Sequence, residues 1–174
     1  MVRVAALSLL CVLVLAGCVG PAGPSPSDGK PPCESLDPVG EEMDARYNVS
    51  YDHAGAFSLS VAPESVGRGE RFTATLRNVG EKTRYRGTSR KYAVHRWSDG
   101  GWRPVLAGAR GYNATAVPQP PNETLTWTFA ANRSGLTANG IEACGPIEPG
   151  RYRFVYFGLN GSSAVGARFT VTES

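Results

Sequence analysis

Cys18 has the surroundings of a thiol that is to be modified. It follows Leu15, Ala16 and Gly17, which close an apolar run from Val4 to Ala16 behind the single positive charge of Arg3. Short side chains at 16 and 17 let an extended backbone enter a peptidase cleft. Cleavage there would leave Cys18 as the new N-terminal residue, with its thiol at the chain end. The run of about 13 residues fits the apolar core of an export signal and falls short of the ~20 needed to span a membrane.

The other chemistry-bearing residues are sparse. Cys11 leaves with the signal, so an exported domain keeps Cys33 and Cys144. A disulfide between them is the simplest reading in an oxidising compartment, against two free thiols or half of a metal site. Closing a loop of over 100 residues stabilises by on the order of 4–5 kcal/mol in the chain-entropy model. No CxxC occurs, and His53 and His95 have no neighbours at metal-ligand spacing. No metal and no cofactor is expected. There is no G-x-S-x-G elbow, H-E-x-x-H, phosphate-binding glycine loop or EF-hand loop, so the chain reads as a non-enzyme. His95 reads as a packed or surface histidine on a strand. Five of the seven asparagines open an N-x-S/T sequon: Asn48, Asn113, Asn122, Asn132 and Asn160. They are glycosylation candidates, and their excess points to an organism that glycosylates its surface proteins, such as an archaeon.

The Leu-Ala-Gly-Cys sequence at 15–18 resembles the lipobox of prokaryotic lipoproteins. The resemblance implies a lipid anchor on Cys18 at the extracytoplasmic face of the cell membrane. No twin-arginine pair is present, so general secretion is the expected route. Residues 19–32, VGPAGPSPSDGKPP, have almost nothing to bury and read as a flexible tether. The expected layout is a signal peptide at 1–17, a tether at 18–32, an N-terminal extension at 33–54 tied to the domain, and one domain at 55–174. The net charge of +3 is scattered and speaks for solubility, with no nucleic-acid signature. The densest basic stretch, Lys82, Arg84, Arg86, Arg90 and Lys91, reads as a solvated strand edge or loop.

Within the domain the apolar period is two. Phe57-Ser58-Leu59-Ser60-Val61 alternates, as do Phe72, Ala74 and Leu76. Further strands are expected at 92–97, 102–106, 124–129, 151–159 and 167–172, about seven in all. Residues 63–70 read as a turn, and 107–122 and 131–149 as loops. Glu41 to Tyr47 has the makings of one helical turn. Ser98-Asp99-Gly100-Gly101 is a hairpin signal that sets Trp97 against Trp102. Pro104 lacks an N–H donor and places its strand at an edge or bulge. Trp97, Trp102 and Trp127 have the side chains to stack sugar rings or line a peptide groove. At strand positions they read first as core or hairpin packing.

Glu148-Pro149-Gly150-Arg151-Tyr152-Arg153-Phe154 resembles the tyrosine corner of immunoglobulin-like domains, with Tyr152 supplying the hydroxyl. Together with FSLSVAPESVGRGERFTATLRN, YAVHRWSDGGWRPV and PPNETLTWTF, it makes residues 55–172 similar to the Ig-like domains of exported prokaryotic lipoproteins. The resemblance implies an all-β, immunoglobulin-like β-sandwich, with Phe154 standing where an antibody domain has its second cysteine. It implies little about activity. The expected function is a non-catalytic, lipid-anchored, surface-exposed module acting in binding or structural presentation. Its partners would be the membrane, through Cys18, and a protein or glycan at the cell surface. The alternatives are a proteinase inhibitor presenting one of the long loops and, further off, an enzyme of unrecognised type.

Overall fold

Period-two alternation sorts the strands into two sheets that share one apolar interior. The computed structural model describes residues 36–108, 114–138 and 140–173. The segments read as an export signal and a tether, with Cys18, Cys33 and Asn113, lie outside the described residues.

In chain order the elements are α1 (Met43–Arg46), β1 (Asn48–Tyr51), β2 (His53–Ala54), β3 (Phe57–Ala62), β4 (Ser65–Gly67), β5 (Arg71–Asn78), β6 (Arg84–Arg86) and β7 (Tyr92–Ser98). Then follow β8 (Gly101–Pro104), β9 (Leu106–Ala107), β10 (Val117–Gln119), β11 (Thr124–Ala130), α2 (Arg133–Leu136), β12 (Glu142–Ala143), β13 (Gly150–Tyr156) and β14 (Ser163–Thr172). The larger sheet runs β1-β14-β13-β7-β8, with β4 also on β14, and the smaller runs β11-β5-β3-β2. The ribbons β6–β10 and β9–β12 flank them.

The chain is therefore an all-β sandwich, but it has more strands than the seven or so that alternation suggests. Each of the seven expected runs holds a strand, but the one expected at 102–106 breaks at Val105, leaving β8 in the larger sheet and β9 in a separate ribbon. The additions are short: β1 has four residues, and β2, β4, β6, β9, β10 and β12 have two or three each. So few residues cannot display a period, and their pairing is decided by neighbours far away in sequence. β4 lies inside the segment read as a turn, β10 inside the 107–122 loop, and α2 and β12 inside the 131–149 loop. Both β1 and β4 pair parallel with β14, the first along residues 163–166 and the second along 170–172. Between them the chain crosses to the other sheet and back. β8 ends its sheet, the position that Pro104 allows.

The interior is aromatic. Tyr92, Phe154 and Tyr156 of the larger sheet meet Phe72, Trp127 and Phe129 of the smaller. Phe154 is fully buried, with ring centroids 5.3 Å from Tyr92 and 5.0 Å from Trp127. The polar tips of this core end in the 87–89 loop: the Tyr156 hydroxyl donates to the Gly87 carbonyl at 2.8 Å, and the Trp127 Nε1–H to the Ser89 carbonyl at 2.8 Å. Burial pushes the Tyr156 phenol up to about 12, so it stays a donor. Buried Asn78 and Gln119 hold the β6–β10 ribbon. Asn78 Nδ2 donates to the Lys82 and Gln119 carbonyls, and Gln119 Oε1 accepts from Arg86 Nε at 2.7 Å. Among the described residues no helix is long and apolar enough to cross a membrane.

Phe154→Ala removes the ring that joins the two sheets and leaves a cavity among rigid aromatics. The expected loss of stability is about 3–5 kcal/mol, read as a lower urea midpoint. A midpoint near wild type would show that the sheets do not depend on this contact.

Candidate functional site

The outer face of the larger sheet carries more chemistry than the alternation of its strands suggests. On β13 the inward residues are Tyr152, Phe154 and Tyr156, so Arg151 and Arg153 point outward. Register aligns Arg153 with His95 on β7 and with Arg168 on β14. Trp97 pairs with Trp102 across the β7–β8 hairpin. All of these share the outer face.

One half of that face is covered by the N-terminal segment. The Arg153 side chain is 2% exposed and pairs with Asp44 of α1, which is 58% exposed. The pair is bidentate: Nη1 donates to Oδ1 at 2.8 Å and Nη2 to Oδ2 at 2.7 Å. Arg153 Nη1 also donates to the Tyr51 hydroxyl at 3.1 Å. His95, 1% exposed, donates from Nε2 to the Gly40 carbonyl at 2.9 Å, which leaves Nδ1 to accept from Arg153 Nε at 3.4 Å. Gly40 has φ +81°, and a Cβ there would stand 2.9 Å from the Ala93 Cβ and 3.1 Å from His95 Nε2. Only glycine brings that carbonyl so close to the sheet. The Arg153 hydrogen bond holds the Asp44 carboxyl below its usual range. Burial pushes the His95 imidazole down to about 4, so it is neutral at neutral pH.

The other half is open. Arg153 lies over the Trp102 ring at 4.8 Å, and Trp102 meets Trp97 edge to face at 5.2 Å. Arg151 lies over Trp97 at 5.1 Å, and Arg168 over Tyr51 at 3.7 Å. Trp97 remains 37% exposed. Among the described residues neither Arg151 nor Arg168 forms an ion pair. The open half forms a shallow groove of about 510 Å³, rimmed by Glu64 and Thr170.

The residues singled out from the sequence fall elsewhere or at the margins. The Tyr152 hydroxyl donates to the Glu148 carbonyl at 2.6 Å, the back-bond that makes a tyrosine corner. Cys144 is disulfide-bonded, and its N–H donates to the Val105 carbonyl at 2.8 Å. Asn48, Asn122 and Asn160 are exposed. Asn132 is half-buried, and its Oδ1 caps α2 by accepting from the Gly135 N–H at 2.7 Å. Asn48 and Asn160 sit at the end of the larger sheet away from Trp97, as the register of β1 and β13 requires. His53 is exposed on β2, and His95 does not line the groove beside Trp97. Among the described residues no cluster of three His, Cys, Asp or Glu is placed to hold a metal. Of the basic stretch, Arg84 is exposed while Arg86 is tied to Gln119. Asp44, Tyr51, Arg151, Arg153 and Arg168 were not singled out from the sequence. The outward parity of Arg151 and Arg153 beside inward Tyr152 and Phe154 was the available signal.

Because folded His95 resists protonation until about pH 4, the unfolded chain takes up a proton first as pH falls below the ordinary imidazole value. Stability is full above about pH 6.5 and drops by about 3 kcal/mol between there and pH 4. The Asp44 contribution, from a depressed carboxyl, persists above the usual carboxylate range and is lost only at lower pH. His95→Gln keeps a donor for Gly40 and removes the titration. Urea unfolding of the variant is expected to lose the slope between pH 6.5 and 4, and an unchanged slope would refute the assignment.

No protein-family model and no curated protein matches the chain. Similar solved structures include the β-glucosidase EmGH1 of Erythrobacter marinus, at 18% identity over 68% of this chain and 15% of that one, with a TM-score of 0.37. The alkylpurine DNA glycosylase AlkC of Pseudomonas fluorescens matches at 15% identity over 69% of this chain and 31% of its own, with a TM-score of 0.33. The archaellum periplasmic stator protein FlaG of Sulfolobus acidocaldarius matches at 18% identity over 65% of this chain and 99% of its own, with a TM-score of 0.36. The chain spans only 15% and 31% of the first two. Likenesses of this size assign neither a family nor an activity.

Proposed function

We propose that the chain is a lipid-anchored, extracytoplasmic Ig-like module that binds a ligand through the Trp97 face of its larger sheet and performs no catalysis. In this reading Cys18 carries the lipid, residues 18–32 are the spacer, and Cys33 is the disulfide partner of Cys144. The carrying observation is the exposed Trp97, wedged between Trp102 and Arg151. Tryptophan and arginine dominate the energetics of binding surfaces, and they do so where neighbours hold them in place. A solvent-facing aromatic held this way, beside two arginines that form no ion pair among the described residues, has the composition of a contact surface. The 131–149 segment lends little to the inhibitor alternative. Leu136, Ile141, Ala143 and Ile147 are buried, so it covers the core and does not stand away from it as a presented loop.

Two measurements test the reading. Mass spectrometry of the membrane-extracted protein is expected to find diacylglyceryl-modified Cys18 as the first residue. An unmodified Cys18, or an intact N-terminus in the membrane fraction, would refute the anchor. The purified full-length chain is expected to bind envelope material from the cells that produce it, and Trp97→Ala to weaken that binding about tenfold or more. Equal retention of wild type and variant, with matched melting temperatures, would remove Trp97 from the contact surface.

A further inference from the structure

We infer that the groove beside Trp97 takes an acidic glycan, a chain of pyranose rings bearing carboxylates; this rests on the binding-face reading above. Three features of the groove select the ligand. The first is charge. Arg151 and Arg168 lie on neighbouring strands, two register positions apart and so on the same face. Each guanidinium is stacked on an aromatic ring, 5.1 Å from Trp97 and 3.7 Å from Tyr51, and neither forms an ion pair among the described residues. Stacking occupies the flat face of a guanidinium and leaves its edge N–H donors free, the geometry that accepts a carboxylate.

The second feature is the mixture of groups. Glu64 shares the groove with the arginines. A polyanion without donors is repelled by that carboxylate. A sugar acid supplies carboxylates for the arginines and hydroxyl donors for Glu64 and Thr170. The exposed part of the Trp97 indole offers an apolar platform for the C–H face of a ring.

The third is the floor. β13, β14 and β7 spend their backbone groups on ladders to one another. A bound peptide gains much of its affinity by adding a strand to a free edge; the floor strands are paired on both sides, and the edge beside them, β8, carries Pro104, which has no N–H to donate. The floor itself is read through side chains. A flat bilayer is also a poor occupant, because among the described residues Trp97 is the single exposed large apolar side chain lining the groove.

The test uses the purified full-length chain and defined probes, with binding read by calorimetry. The probes are oligomers of galacturonate, mannuronate and glucuronate, their methyl esters, hexaglutamate, and phosphatidylglycerol vesicles. At least one free-acid oligomer is expected to bind, and its methyl ester to bind about tenfold more weakly or worse. Arg151→Gln and Arg168→Gln are each expected to weaken the acid by a similar factor and to leave the ester unchanged. Trp97→Ala is expected to weaken both. Equal binding of acid and ester, or insensitivity to both arginine variants, overturns the inference. So does binding of hexaglutamate or vesicles where all three uronates fail. If no uronate binds while envelope retention still depends on Trp97, the ligand class falls and the binding face stands. If retention loses its dependence on Trp97, both fall.

Discussion

A full positive charge is buried on the outer face of the larger sheet, and most of what lies on that face is arranged around it. Arg153 sits on a central strand where water is excluded, so its guanidinium must be satisfied by the protein. Asp44 neutralises it bidentately, the Tyr51 hydroxyl and His95 Nδ1 take further N–H groups, and the Trp102 ring lies beneath it. Such a pair is modest evidence of net stability, since desolvating a charge costs several kcal/mol. Its consequence is specificity. Asp44 of α1 and Tyr51 of β1 both accept from the guanidinium, so the charge ties the N-terminal segment to this face.

That segment is also held by backbone. β1 adds a parallel strand to β14, and the Val39 N–H donates to the Leu106 carbonyl at 2.7 Å. Two glycines permit the close approach. Gly40 brings its carbonyl to His95. Gly166 lets the Tyr51 ring lie on β14, where a Cβ would stand 3.2–3.3 Å from the Tyr51 ring and the Val49 side chain. Val39 and Met43 then bury against the sheet. The outer face of a sandwich sheet is ordinarily wet. Here half of it is a second, smaller core, and the boundary between covered and open halves runs through Trp102.

The sandwich was legible because its long strands alternate over five or more residues, and burial of one face imposes that period. The β7–β8 hairpin and the edge position of Pro104 were legible because turn chemistry and a missing N–H are local properties. Asp44 and Arg153 were not, being 109 residues apart on elements whose pairing no local pattern encodes. His95 was read correctly as lying on a strand, yet its carbonyl partner at Gly40 is 55 residues away. Trp97 shows the same limit. Alternation places it on the face opposite Tyr92 and Val94, but whether that face is covered depends on where the N-terminal segment comes to rest.

The covered half prepares the open half. A long arginine side chain loses up to ~2 kcal/mol of rotamer entropy when it is fixed, and an exposed guanidinium usually incurs that loss on binding. Arg153 fixes Trp102 from below, Trp102 fixes Trp97 edge to face, and Trp97 holds Arg151 by stacking. On the far side Tyr51, itself hydrogen-bonded to Arg153, holds Arg168. Both open arginines are thus ordered through aromatic rings that trace back to one buried charge. Part of the entropy that a ligand would otherwise have to offset is already lost on folding, so the contacts it makes convert more fully into affinity. The cation that fixes the N-terminal segment is also the one that pre-orders the face beside it.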